Sequence, residues 1–156
     1  MAVIREQDME KGRRAWQQWV EAARAQAAAI NVGVADTGRS DIASAENDSD
    51  NTRALSISPE LPRPVWAMAV RYTLFLLERR APGPGVEVRV APWGAIKILD
   101  GPASDPHNLT PPDVIELDPD VWLRLAAGIT TWAQEKDAGH ITAVGERDDL
   151  SALLPL

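Results

Sequence analysis

The sequence of 156 residues contains no cysteine, so it can form neither a disulfide nor a thiolate metal site and offers no thiol nucleophile. A reducing compartment fits that composition. Histidine is nearly as scarce, with only His107 in a proline-rich loop and His140 at the start of an expected strand. A catalytic zinc site needs about three convergent His or carboxylate ligands, so both histidines are read as surface or structural residues and no metal is expected. Long apolar runs are missing too: Val65 to Leu77 is broken by Arg71 and falls short of the ~20 residues that a membrane-spanning helix requires. The first ten residues carry Arg5, Glu6, Asp8 and Glu10 where an export signal needs an apolar stretch. The expectation is a cytoplasmic protein without stable membrane insertion.

Excess positive charge is absent as well. Lys and Arg total 16 against 23 Asp and Glu, a net charge of −7, whereas nucleic-acid binders carry a basic stripe with interleaved aromatics. The densest basic patch, Lys11, Arg13 and Arg14, is offset by Glu6, Asp8 and Glu10 and reads as a solvated helix face, so no nucleic-acid partner is expected. No nucleotide loop, nucleophile elbow or pair of catalytic carboxylates occurs. Together these absences point to a non-enzyme with no catalytic residues and no cofactor.

What is present is an ordinary globular composition, 45% hydrophobic and 25% charged, and a length that fits one core. From about Arg5 to Ile30 strong helix formers predominate, interrupted only by Gly12, and Trp16, Trp19, Val20, Ala23, Ala27 and Ile30 form one apolar stripe. That amphipathic N-terminal helix (1–30) can pack on its own domain or make a homodimer or partner contact. Residues 31–58 lose all periodicity and are read as a flexible polar linker. Inside it, Asp36-Thr37-Gly38 matches an aspartic-protease string without the buried paired site that chemistry needs. Asp48 and Asp50 open like a calcium loop, but Arg53 and Pro59 stand where glycine and a bidentate glutamate belong.

The compact part spans 59–156. Pro62 and Pro64 introduce a helix from about Val65 to Arg80, apolar on two adjoining faces and therefore covered on two sides. The turn Ala81 to Gly85 stops it. Val86, Val88 and Val90 then alternate with Glu87 and Arg89 as a half-buried strand, paired through Ala91-Pro92-Trp93-Gly94 with a second strand, Ala95 to Ile98. After a proline-rich loop come a strand at Val114 to Leu117, a helix capped by Asp118 with Trp122 and Leu125 on one side and Gly128 at its end, and a short helix capped by Thr130 and bearing Trp132. A strand from His140 to Val144 precedes a tail with Leu150, Leu153, Leu154 and Leu156. Four leucines are too much apolar surface to leave in water at roughly 25 cal/mol per Å². The consecutive Glu146, Arg147, Asp148 and Asp149 are read as capping that final segment.

This order of elements, with Val86-Glu87-Val88-Arg89-Val90, Thr110-Pro111-Pro112-Asp113-Val114-Ile115-Glu116, Trp122, Leu125, Gly128, Trp132, Gly139, Gly145 and the Glu146 to Pro155 string, resembles the bacterial sterol carrier protein domain family, with the sterol carrier protein 2-like fold, from about residue 64 to 156. The resemblance implies an α+β fold: a mostly antiparallel sheet covered by helices, with an apolar cavity between the layers for a sterol, fatty acyl chain or other lipid. The expected function is non-enzymatic binding or carriage of such an apolar small molecule. Trp66, Val70, Leu77, Trp122, Leu125, Trp132, Leu153 and Leu154 are expected to face the cavity. The rival reading is an interaction or regulatory module with the cavity closed, using Trp16, Trp19 and Trp93 at an interface. Core packing is the simpler account of the tryptophans, except that Trp93 in its hairpin turn could nearly as readily stand at a pocket mouth or an interface.

Overall fold

The computed structural model describes residues 2–32, 43–101 and 113–156. After a short 3-10 turn at Glu6–Asp8 come α1 (Met9–Val32), α2 (Ala43–Leu55) and α3 (Arg63–Arg80). They are followed by β1 (Pro82–Val90), β2 (Gly94–Ile98), β3 (Asp113–Leu117), α4 (Pro119–Ala127), α5 (Trp132–Asp137) and β4 (Ile141–Val144), with a final 3-10 turn at Ser151–Leu153. Asp36-Thr37-Gly38, Asp41, His107 and Thr110-Pro111-Pro112 lie outside the described residues.

The fold is α+β, built on one sheet of order β2-β1-β3-β4. β1 and β2 form the antiparallel hairpin, β3 and β4 are also antiparallel, and β1 runs parallel to β3. Because strand side chains alternate between faces, the sequence sorts itself cleanly. Val86, Val88, Val90, Ile96, Ile98, Ile115 and Leu117 are buried, while Glu87, Arg89 and Glu116 occupy the opposite face. There the parallel register sets Arg89 against Glu116, 3.2 Å apart, with Glu87 at 3.1 Å.

Helix α3 packs on β1, β2 and α4, and also on α1, which is the double cover that its apolar pattern predicts. The stripe of α1 is thus used within the chain: Ala15, Trp19 and Ala23 are buried, and Trp16, Val20, Ala27 and Ile30 pack beside them. Glycine within that helix has a steric reason. A Cβ on Gly12 would stand 2.9 Å from Tyr72 Cβ and 2.7 Å from Ile4 Cδ1, so the helix can approach α3 this closely only without a side chain there. Four tryptophans bind the layers together: Trp16 stacks on Trp19 (centroids 5.9 Å apart), Trp19 meets Trp66 edge-on (5.8 Å), and Trp66 stacks on Trp93 (6.5 Å). Arg63 lies over Trp93 at 5.7 Å, and Arg71 Nε donates to the Trp93 carbonyl at 3.0 Å, which ties the hairpin turn to α3.

Three local expectations are corrected. Residues 43–55, read as linker, form α2, because its neighbours supply what its own sequence lacks. It packs on α1 and α5, Asp50 and Arg53 pair at 2.8 Å, and Ile57 just beyond it is buried. Helix α5 is capped by Thr131, not Thr130: Thr131 Oγ1 accepts from Gln134 N and Gln134 Oε1 accepts from Thr131 N, a reciprocal capping box. Asp118 does stand at the N-cap of α4 but makes no side-chain capping bond.

The charged string after β4 is organised by Asp113, the first residue of β3. Its Oδ1 accepts from Glu146 N at 2.7 Å and Arg147 N at 3.3 Å, and its Oδ2 accepts from Arg147 Nε at 3.2 Å. Burial opposes ionisation of Asp113, but the bonds from the backbone and side chain of Arg147 and from the Glu146 N–H outweigh it and hold the carboxyl below its ordinary value. A folded-state pKa below the unfolded one stabilises the fold above the unfolded value, about 3.9, and that contribution is lost as pH falls through the folded value. Asp113→Asn is therefore expected to lower Tm at pH 7 and to lower it by distinctly less near pH 3. Thermal melts of both proteins at the two pH values check this.

Candidate functional site

Helix α4 is positioned by two anchors. Trp122 Nε1 donates to Thr73 Oγ1 of α3 at 2.8 Å, and at the other end Gly128 N donates to Leu125 O while Ile129 N donates to Arg124 O, the paired bonds of a Schellman motif. The turn from Gly128 to Thr131 then sends the chain into α5. Below it lies a buried ionic cluster: Arg124 and Glu135 are 1% and 0% exposed and meet at 2.7 Å. Glu135 also accepts from Thr130 Oγ1 at 2.8 Å and lies 2.6 Å from His140 Nδ1. Arg124 Nη1 donates to the Ile57 carbonyl at 3.0 Å and to Asp120 at 3.1 Å. Every strong donor and acceptor of the pair is thereby matched, which is the condition for burying charge at all.

The C-terminal tail crosses the end of α4. Leu150 is buried, Leu156 N donates to the Ala126 carbonyl at 3.0 Å, and Arg80 Nη1 donates to the carbonyls of Leu153 and Pro155, both at 2.8 Å. Between α4, α5 and this tail lies a cleft of about 290 Å³. Leu125, Trp132, Leu154 and Pro155 give it apolar walls, and Thr130, Thr131 and Ser151 add hydroxyl groups. Trp132 is buried, yet its Nε1 has no acceptor among the described residues. A second cleft, about 350 Å³, is polar: Arg89, Glu116, Asp118, His140 and Thr142 line it, but Arg89 is already paired with Glu87 and Glu116 and His140 with Glu135.

Residues 62–156, more than half of the chain, match the family described as bacterial SCP ortholog. The chain belongs to that family. No curated protein matches it. The bacterial SCP unit starts immediately before α3 and holds the sheet, α4, α5, the tail and the apolar cleft. Helices α1 and α2 fall outside the matched residues, so the unit is a sterol-carrier-protein-like domain onto which an N-terminal extension is packed. No described helix is long and apolar enough to cross a membrane. Among the described residues no group of three or more His, Asp or Glu is placed to hold a metal ion.

The structure brings only some of the expected cavity residues to this cleft. Leu125, Trp132 and Leu154 meet there. Val70, Leu77 and Trp122 have no exposed surface and pack into the core, Leu153 is half-buried beside it, and Trp66 belongs to the tryptophan ladder. Trp16, Trp19 and Trp93, expected at an interface, also lie in that ladder, with Trp19 wholly buried. Sequence reasoning missed Thr131, Ser151 and Pro155 on the cleft, and Arg124 with Glu135 beneath it. Only Arg124 leaves a trace in the sequence, as one charge inside the apolar run Val121 to Ala126.

Proposed function

We propose that this bacterial SCP-family chain binds and carries an apolar small molecule, without covalent chemistry, in the cleft between α4, α5 and the C-terminal tail. One observation carries the reading: Leu125, Trp132 and Leu154, from three separate segments, converge on a concave apolar surface. A few polar groups among apolar walls are the usual make-up of a small-molecule site. The tail forms one wall of the cleft and is fastened to α3 and α4 by three hydrogen bonds to backbone carbonyls, one from Leu156 N and two from Arg80.

The neutral fluorophore 1-aminoanthracene tests the site. Titration of the full chain is expected to give saturable enhancement with one site per chain, and Leu154→Trp, which fills the cleft from the tail, is expected to weaken binding at least tenfold while leaving Tm nearly unchanged. Non-saturating binding, or equal binding by the variant, would refute the cleft as the carrier site.

A further inference from the structure

Resting on the carrier reading, we propose that residues 48–58 of the N-terminal extension are a clamp on the cleft. Docked against Arg124, they hold α4 and α5 in the binding arrangement, and an apolar ligand in the cleft tightens their docking in return. The family match begins at residue 62, so this segment is an addition to the carrier unit, yet it completes the ionic cluster buried inside that unit. Arg124 Nη1 donates to the Ile57 carbonyl at 3.0 Å, and both residues are 1% exposed.

The ionic cluster braces the cleft walls. Leu125 of α4 and Trp132 of α5 are two of those walls. Arg124, the neighbour of Leu125, donates to both carboxylate oxygens of Glu135 in α5, at 2.7 and 3.2 Å, and Glu135 accepts from the cleft residue Thr130 at 2.8 Å. The placement of α4 against α5 therefore depends on this pair. Lifting the segment takes the Ile57 carbonyl away from Nη1, leaves Asp120 as its one remaining acceptor, and admits water to a pair now sealed from it. Opposite charges attract several-fold more weakly in water than inside a protein, so the brace slackens. Walls free to shift must be ordered again on binding, which lowers affinity.

The segment is held weakly enough for a ligand to bias it. Helix α2 is polar along most of its length, and a cleft of about 230 Å³ opens between it and α1, with Ile30 and Arg53 on its two sides. Asn51 Oδ1 is buried without a donor among the described residues, which costs stability. Against this stand the buried side chain of Ile57 and the bond from Ser58 N to Gln26 Oε1 at 3.0 Å. Elements with few buried apolar contacts open locally before the core does. By linkage, whatever factor the docked segment adds to ligand affinity, the ligand adds to docking.

Hydrogen exchange of the full chain, followed by mass spectrometry with and without saturating 1-aminoanthracene, reads this linkage on the unaltered protein. Backbone amides of residues 48–58 are expected to exchange about fivefold or more slowly with the fluorophore bound, although none of these residues lines the cleft. Ile57→Ala, which loosens the segment without touching the cleft, is expected to bind the fluorophore about fivefold more weakly, by the same linkage. Unchanged exchange at 48–58 alongside slower exchange in α4 and α5 would overturn the clamp and leave the carrier reading standing. Parental affinity in a folded Ile57→Ala would do the same, and if that variant does not fold, the exchange measurement decides alone. If the fluorophore does not bind the parent chain saturably, the carrier reading falls and this one with it.

Discussion

Replacing Glu135 by alanine is expected to destabilise the protein by about 3–5 kcal/mol, the usual cost of removing one partner from a buried ion pair. Arg124 would be left 1% exposed with its main counter-charge gone. Asp120, 3.1 Å away, is the more exposed of its two carboxylate partners and compensates only in part. Thr130 and His140 would lose their shared acceptor as well. Removing both charges together is expected to cost far less than the sum of the single changes, because Arg124→Met with Glu135→Leu leaves no unpaired charge behind. Urea unfolding of the two single variants and the double variant gives the coupling directly. Additive losses would mean that the two side chains act independently, contrary to their 2.7 Å contact.

Trp19→Ala is expected to cost a similar amount, about 3–5 kcal/mol, the range for emptying a large aromatic site in a core. Trp19 has no exposed surface and joins Trp16 to Trp66, so its loss breaks the ladder between α1 and α3 at its centre. Trp19→Phe is expected to be much milder. The indole Nε1 of Trp19 is buried without an acceptor among the described residues, and deleting an unsatisfied donor removes a penalty that partly offsets the smaller ring. Denaturant melts measure both variants. Limited proteolysis adds a second readout, since in Trp19→Ala cleavage is expected to appear first in α1, while the unit from residue 62 onward stays protected. An alanine variant as stable as the parent would show that α1 contributes little to the fold.

The sequence exposes the elements better than their neighbours. Alternation at Val86 to Val90 and the prolines and glycines around α3 and α4 mark elements that the structure contains, because period and turn chemistry are local. Periodicity also identifies the apolar faces of α3 and α4 but not what covers them. Hence Val70, Leu77 and Trp122, expected on a cavity, lie in the packed core, whereas Leu125 and Trp132 line the cleft. The cleft's remaining parts depend on contacts that no local pattern records: Arg80 reaches carbonyls more than seventy residues away, and Arg124 meets Glu135 across a helix turn. Helix α2 escaped for a related reason, since its polar sequence has little apolar stripe and its packing on α1 and α5 is tertiary.

Diffraction from crystals of the full chain grown with 1-octanol tests the central claim most directly. The account predicts elongated density bounded by Leu125, Trp132 and Leu154. Leu154 and Pro155 folded into a dry, filled cleft, with the alcohol elsewhere or nowhere, would contradict it.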